Sequence, residues 1–439
     1  MLGLDIPTLS AGIKSGPMFR PAGKLLSCKD VVMKCSMQAA VGDQCEIIVP
    51  GGKPILAEVI GFEGPHAFLT PYDPAENVHP GMTVIRKGRG MTIPTGEGLC
   101  GRVIDGLGRP VDGKGPIVGC PPRPVNRPAP QALERRRILE KFHTGQRAID
   151  SLLTCGVGQR IGIFAGSGVG KSTLLGEITK GSSADVNVIA LIGERGREVA
   201  PFIQDVLGEE GMARTVVIVA KCDESPLMRV RASQAAIAIA DYFRDEGKNV
   251  LFMIDSLTRL AMAQREIGQM RGEVPGPKGY TSSCFQMLAT TIERLGNASK
   301  GGITALLTVL VDGGDLDEPI SDSVRSLVDG HIILDRKMAE KNIYPAVNIL
   351  KSVSRVQHDI VDDAHKVAAA KLRTILSMLE ETQELVRIGM YKKGADAALD
   401  RALELKPRVE AFLKQKTGER STAEQTRREM MTITAQWPF

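Results

Sequence analysis

Nine consecutive residues carry the clearest chemistry in this sequence: Ala165, Gly166, Ser167, Gly168, Val169, Gly170, Lys171, Ser172 and Thr173. They follow the apolar run 160–165 and precede the helix-compatible stretch 174–178. A strand, a glycine-rich turn and a helix start, in that order, aim backbone N–H groups and the positive end of a helix dipole at an anion. In such a phosphate-binding loop Lys171 reaches the β- and γ-phosphates of a nucleotide, and the hydroxyl of Ser172 meets Mg²⁺. Glycine at 166, 168 and 170 permits backbone angles and a close approach that a side chain would hinder. The pattern usually opens on glycine; Ala165 stands there instead and is small enough to keep the turn.

A phosphate cradle does not by itself hydrolyse anything, so groups are needed to hold the metal, align water and meet the transition-state charge. Asp255 ends the apolar run 250–255, which places a carboxylate beside the metal at the mouth of a parallel sheet; the plain alternative is a helix cap. Arg259 lies four residues on, as a partner of that site or as one half of a structural salt bridge. Glu194 follows the apolar run 188–192 and its glycine, well placed to accept or align the proton of an attacking water, or else to cap the next helix. In the segment 344–355, Tyr344 offers a face for adenine, and Arg355, after a Ser-x-Ser turn, is a candidate finger for a neighbouring subunit's γ-phosphate.

These residues need a scaffold of several domains, because 439 residues exceed what one hydrophobic core usually serves. From about residue 20 to 85, short alternating strands broken by Pro50-Gly51-Gly52 and Glu63-Gly64-Pro65 predict a small β-barrel. The glycine- and proline-rich stretch around 105–130 reads as a connection over a domain surface. From about 145 to 350, continuous apolar runs at 188–192, 215–219, 250–254 and 304–309 alternate with helical segments, the pattern of parallel strands covered on both faces. After about 360, apolar residues at helical spacing (Val367, Leu372, Ile375, Leu376, Leu379, Leu385, Val386, Ile388, then Leu399, Leu403, Val409 and Leu413 around Pro407) predict a helical domain. The expected fold class is α/β: an N-terminal segment and β-barrel over 1–88, a RecA-like P-loop domain with a mainly parallel sheet over 89–360, and a helical domain over 361–439.

Composition narrows the function. The net charge of +5 is modest for this length, and Arg135-Arg136-Arg137 lies among acids, so it reads as a solvated face and not as a nucleic-acid patch. The longest apolar runs are about half of what a membrane helix requires and no basic-then-apolar leader opens the chain, so a cytosolic location is expected. Eight cysteines without a C-x-x-C pair favour reduced, mostly buried thiols over disulfides or zinc.

The segments 145–160, 165–173, 190–199, 241–259 and 345–354 together resemble the catalytic subunits of the rotary ATP synthase superfamily, and most closely the ATPases of flagellar and virulence type III protein export. The resemblance covers nearly all of the chain after residue 20, and 345–354 is similar to the superfamily signature P-[SA]-[ILV]-[DN]-x-x-x-S-x-S. It implies that Glu194 is the general base, that Arg195 and Arg259 line the γ-phosphate region, and that Lys171, Ser172 and Asp255 serve phosphate and Mg²⁺. It also implies that Tyr344 packs on adenine and that Arg355 reaches the adjacent subunit's ATP. Base and finger in one chain point to a homohexamer with six equivalent sites; rotary synthases divide those roles between two kinds of subunit.

Residues 379–394 are similar to the export ATPases, and 225–231 with 262–268 look more flagellar than virulence-type. The resemblance further implies a stalk protein, export chaperones, an export gate at the inner membrane, and a stator-like regulator docking on the N-terminal segment, which here is limited to residues 1–20. The stretch 276–285 departs from the family's G-Y-P-P-S-V-F and would alter a loop near the ring's centre. Competing readings are a virulence-type ATPase, a catalytic rotary synthase subunit, a Rho-like RNA translocase and a non-hydrolysing structural subunit. The RNA reading meets few aromatics over 20–85, chiefly Phe62, Phe68 and Tyr72, and the structural reading is opposed by the presence of both base and finger.

Overall fold

The computed structural model describes residues 21–29, 31–311 and 315–439. The N-terminal segment to which the stator-like expectation belongs lies outside the described residues. Six antiparallel strands, β1 (Ala22–Lys29), β2 (Val32–Ser36), β3 (Asp43–Ile47), β4 (Ile55–Glu63), β5 (His66–Pro71) and β6 (Thr83–Arg89), close into a barrel in the order β1-β2-β5-β4-β3-β6. Along β3 the side chains alternate in and out, with Asp43, Cys45 and Ile47 inward. The one carboxylate of that set is neutralised by Arg86 at 2.7 Å. Closure leaves the barrel no strand edge for a foreign chain to pair with.

The central sheet is built on β7 (Val103–Asp105), β8 (Arg160–Ala165), β9 (Val186–Glu194), β10 (Thr215–Lys221), β11 (Asn249–Asp255), β12 (Gly302–Leu310), β13 (Gly330–Leu334) and β14 (Val353–Ser354). Their order is β14-β13-β8-β12-β11-β9-β10-β7, and a short strand at Gly296–Asn297 adds to β12. Pairing is parallel throughout except at β14 and at that short strand. Every residue of β9 is buried, which is why its apolar run is continuous and does not alternate.

Helices α1 (Arg147–Leu152) and α2 (Lys171–Gly181) share one core cluster with the C-terminal helices, whereas α3 (Pro226–Asp245), α4 (Leu257–Met270) and α5 (Ser282–Arg294) contribute to a second cluster together with Tyr72 at the barrel's edge. In the run Arg135-Arg136-Arg137, Arg136 and Arg137 are exposed as a solvated face requires, while the Arg135 guanidinium donates to the Leu295 carbonyl at 2.8 Å and to the Glu293 carbonyl, holding the end of α5. Carbonyls at a helix C-terminus lack intrahelical donors, and a cation there satisfies them. Four of the eight cysteines are buried, while Cys28 and Cys222 are exposed.

The C-terminal helices are α6 (Asp363–Arg387), α7 (Ala397–Leu413) and α8 (Ala423–Thr434). Leu372 and Ile375 of α6 are fully buried, each stabilising the packing by about 1.5–3 kcal/mol. Val367 is exposed on the outer face of the docked half of α6, and Leu385, Val386 and Ile388 are exposed at its far end, beyond its last buried residue, Ile375. Helix α7 runs through Pro407, with Leu405, Val409 and Phe412 buried on either side of it. No helix among the described residues is long and apolar enough to cross a membrane.

Candidate active site

β8 stands between β12 and β13 with Ala165 level with Leu310 and Leu334, so the phosphate loop leaves the C-terminal edge of the sheet from its interior. Ligands of such sheets bind at that edge. Gly168 and Gly170 take φ of +76° and +84°, and Gly170 caps α2 without any side-chain hydrogen bond, which leaves the first N–H groups of the helix to an anion. A Cβ on Gly170 would lie 3.1 Å from the Tyr344 ring, so glycine lets that ring close over the loop.

Lys171 and Asp255 form an ion pair, and Asp255 also accepts from the Thr308 hydroxyl at 2.9 Å. Asp255 does not cap α4; Ser256 does, accepting from the Arg259 N–H at 3.3 Å. Glu194 is likewise no cap, since the short helix that follows has Arg195 in that position. Its carboxylate is buried, and Oε1 pairs with Arg259 of α4's first turn. Burial opposes the charge of Arg259, but the bond to Glu194 and the nearby Asp255 and Glu198 raise its pKa overall. The fold thus brings Lys171, Asp255, Arg259 and Glu194 to one edge. Arg195 is not drawn in: its side chain is exposed and pairs with Glu198 at 3.3 Å.

Arg355 is at the other end of the sheet. Its N–H donates to the Asp329 carbonyl at 3.0 Å, and the Asp329 N–H donates to the carbonyl of Arg160, the first residue of β8, at 2.8 Å. With a rise of about 3.3 Å per residue, β8 separates Arg355 from its own phosphate loop by about 17 Å. Among the described residues the guanidinium's one hydrogen bond is to the Arg325 carbonyl, at 3.4 Å.

A cleft of about 750 Å³ opens beside Gly168, Gly170 and Thr173, walled by Tyr344 and by the loop 414–419 of the helical domain. That wall was not legible in the sequence. Arg147 ties it down through the Phe412 carbonyl at 2.8 Å, the Lys414 carbonyl at 2.5 Å and the Glu419 carboxylate. Gln415 donates to the Gly145 carbonyl at 2.7 Å and its N–H to the Tyr344 carbonyl at 2.8 Å, while Glu177 of α2 accepts from the Gly418 N–H at 2.9 Å. By composition, Lys414-Gln415-Lys416-Thr417-Gly418-Glu419 reads as an ordinary polar connection, so its only signal is three-dimensional. The hydroxyl of Ser172 and the carboxylate of Asp255 are hard oxygen donors of the kind Mg²⁺ takes.

A glycine-rich loop entering a helix at the C-terminal edge of a mostly parallel sheet, with a lysine, an aspartate and a glutamate gathered there, defines a P-loop nucleotide-binding enzyme fold. Comparison with known proteins narrows the class. The nucleotide-binding domain of the ATP synthase alpha/beta family matches residues 145–354, the beta-barrel domain of that family matches 22–88, and the C-terminal domain of the type III secretion ATPase EscN matches 361–432. The flagellum-specific ATP synthase of Bacillus subtilis is 50% identical over 90% of this chain and 91% of its own. The type 3 secretion system ATPase of Xanthomonas euvesicatoria is 42% identical over 98% and 96%. Assembled EscN from the type III secretion system of enteropathogenic E. coli superimposes with a TM-score of 0.89 at 41% identity, covering 94% of this chain and all of that one, and EscN has also been solved with its central stalk EscO. The chain belongs to the ATP synthase alpha/beta family, in its branch of flagellar and type III secretion ATPases.

Proposed function

We propose that the protein is the ATP-hydrolysing motor of a flagellar protein export apparatus, acting as a homohexamer and coupling hydrolysis to chaperone release and export of substrate proteins. The flagellar reading is favoured over the virulence-type one by the 50% identity to a flagellum-specific relative against 42% to a type 3 secretion relative. The stalk beside EscN supports a stalk partner here; a stator-like regulator, chaperones and an export gate at the inner membrane follow from the family resemblance.

In this reading the N–H groups of the phosphate loop and Lys171 hold the phosphates, Tyr344 and the 414–419 wall enclose the base of ATP, and Glu194 takes the proton of the attacking water. An Mg²⁺ held by Ser172 and Asp255 would neutralise charge on the phosphates. Arg195, directed to solvent with Glu198, is proposed to reach phosphate only when a neighbouring subunit adjoins it.

The observation that carries the hexamer is the position of Arg355, a sheet's length from its own phosphate loop and without a carboxylate partner among the described residues. A finger there serves another subunit's ATP, so each subunit's site is completed by its neighbour. The test is steady-state ATP hydrolysis against protein concentration, with Glu194→Gln and Arg355→Ala assayed apart and then mixed. The expected result is specific activity that rises with concentration, two inactive variants, and recovery on mixing. Equal activity of a dilute monomer, or no recovery despite proven co-assembly, overturns the trans arrangement.

A further inference from the structure

The helix Pro319–Leu327 stands between the exposed Arg355 and the loop 276–280. Proline at its first position starts it, and the buried Ile320 and Val324 fix it on the core of the nucleotide domain. Its Arg325 carbonyl has no intrahelical donor, because the N–H groups three and four residues on go to the carbonyls of Val324 and Arg160. That free carbonyl is the one the Arg355 guanidinium meets, at 3.4 Å. The dipole of a helix C-terminus favours a cation there, and a hydrogen bond this long is weak enough to be given up for a phosphate. At the helix's other end Glu318 is the cap residue, yet its side chain makes no capping bond. Its carboxylate, mostly buried, turns to Lys278 Nζ at 3.0 Å. Lys278 holds φ of +52°; among the described residues the other non-glycines with positive φ are Asn77 and Asn342, of a type that tolerates it better. Such a backbone persists where surrounding contacts impose it. Here Arg265, over the Tyr280 ring, donates to the Lys278 carbonyl at 3.2 Å, and Lys278 reaches Glu318. Arg325 braces the helix lengthwise, its side chain pairing with Asp322 at 3.1 Å and Asp317 at 3.6 Å.

We propose that Lys278 and Glu318 are positioning residues for the finger. Their ion pair fixes the N-terminal end of the helix Pro319–Leu327, and the helix carries that position over about 10 Å to the Arg325 carbonyl on which Arg355 rests. The inference rests on the reading of Arg355 as a finger for a neighbouring subunit's ATP. It gives the loop 276–280 a part in the neighbour's chemistry and none in its own subunit's site. A misplacement of about 1 Å far from the chemistry can cost about 10²-fold in rate, so a helix that shifts at its pinned end weakens the finger without touching nucleotide.

The experiment uses the full chain under assembling conditions and compares Lys278→Met, Glu318→Gln and the exchange of Lys278→Glu with Glu318→Lys, alone and in mixed assemblies. Lys278→Met and Glu318→Gln are each expected to lower kcat by about 10-fold, with nucleotide affinity, measured by displacement of a fluorescent nucleotide, unchanged. The exchange restores the pair with its charges reversed and is expected to recover part of kcat. Mixing reads whose site is at fault. Co-assembled with Glu194→Gln, whose finger is intact, Lys278→Met is expected to gain activity severalfold per Lys278→Met subunit; co-assembled with Arg355→Ala it gains none. Parental kcat in both single variants, no recovery by the exchange, or an equal response to both mixing partners overturns the proposal, the last because a merely structural loss does not distinguish them. If Glu194→Gln and Arg355→Ala themselves fail to recover on mixing, the trans reading fails, a different outcome. Should the exchange not assemble, the mixing of either single variant decides.

Discussion

Two glutamate–arginine pairs in this protein are made of the same side chains and are finished differently. At the junction of barrel and nucleotide domain, Glu58 and Arg231 are both buried, and both carboxylate oxygens are spent. Oε2 accepts from Arg231 Nε at 2.8 Å and from the Tyr72 hydroxyl at 2.6 Å, while Oε1 pairs with the other arm of the fork. Burial, reinforced by the Glu58 charge, pushes the Tyr72 hydroxyl's pKa well up, and Glu58 raises that of Arg231 against the pull of burial, so the phenol stays neutral and the guanidinium charged. At the sheet edge, Glu194 has Oε1 paired with Arg259 and a buried Oε2 without a hydrogen-bond partner among the described residues. The Glu58–Arg231 pair that ties barrel to nucleotide domain thus has both carboxylate oxygens hydrogen-bonded, whereas the pair beside the phosphate loop does not. Arg355, touching a single carbonyl, is the extreme of the same tendency.

Substitutions at the two pairs should therefore separate activity from stability. Glu194→Gln is expected to reduce hydrolysis by about 10²–10⁴-fold, with the melting temperature and nucleotide affinity held, as checked by steady-state turnover, thermal unfolding and nucleotide binding. Glu58→Ala should do the reverse. It strands the buried Arg231 and Tyr72, costing about 3–5 kcal/mol of stability in urea unfolding, while turnover per folded, assembled subunit is kept. Loss of turnover without loss of stability at Glu58 would erase the distinction between the two pairs.

A smaller effect is expected at Arg147, which belongs to the satisfied kind of contact but shapes the nucleotide cleft. Arg147→Ala releases the 414–419 wall, with a cost of about 2 kcal/mol and weaker nucleotide binding, read by equilibrium titration and thermal unfolding. The smallest effect concerns His365, buried where α6 meets α1, with Nε2 donating to the Ser151 carbonyl at 2.7 Å. Burial pulls its pKa below 6.5 and the charges of Lys141 and Arg427 add to this, against the Ser151 carbonyl and Asp362; His143, Asp150 and Glu424 line the same cavity. The unfolded chain takes up the proton first, so this contribution to stability is present above pH 6.5 and is lost as pH falls below it. Thermal unfolding between about pH 7.5 and 5.5 should show the loss, and His365→Gln, which keeps a donor for Ser151, should flatten it.

The phosphate loop was legible because its chemistry is local: the backbone N–H groups, a lysine and a hydroxyl fall within residues 165–173, and the flanking strand and helix follow from the apolar pattern. Asp255 and Glu194 were legible as strand-end carboxylates, and the structure removes their alternative as helix caps. The anchoring of Arg135 within an otherwise exposed arginine run was not legible because its partners, the carbonyls of Glu293 and Leu295, are more than 150 residues away. The Arg147–Gln415 wall was missed for the same reason, with hydrogen bonds spanning 265 residues or more.

By itself, the sequence determined the order of barrel, parallel sheet and helices, the phosphate cradle, and the residue types that hydrolysis requires, because periodicity and short motifs are set by neighbours along the chain. Only the tertiary structure decided that Arg259 pairs with Glu194, that the helical domain walls the nucleotide cleft, and that Arg355 stands at the wrong end of its own sheet. Those outcomes depend on strand register and strand order, which bring together or hold apart side chains that sequence distance does not relate.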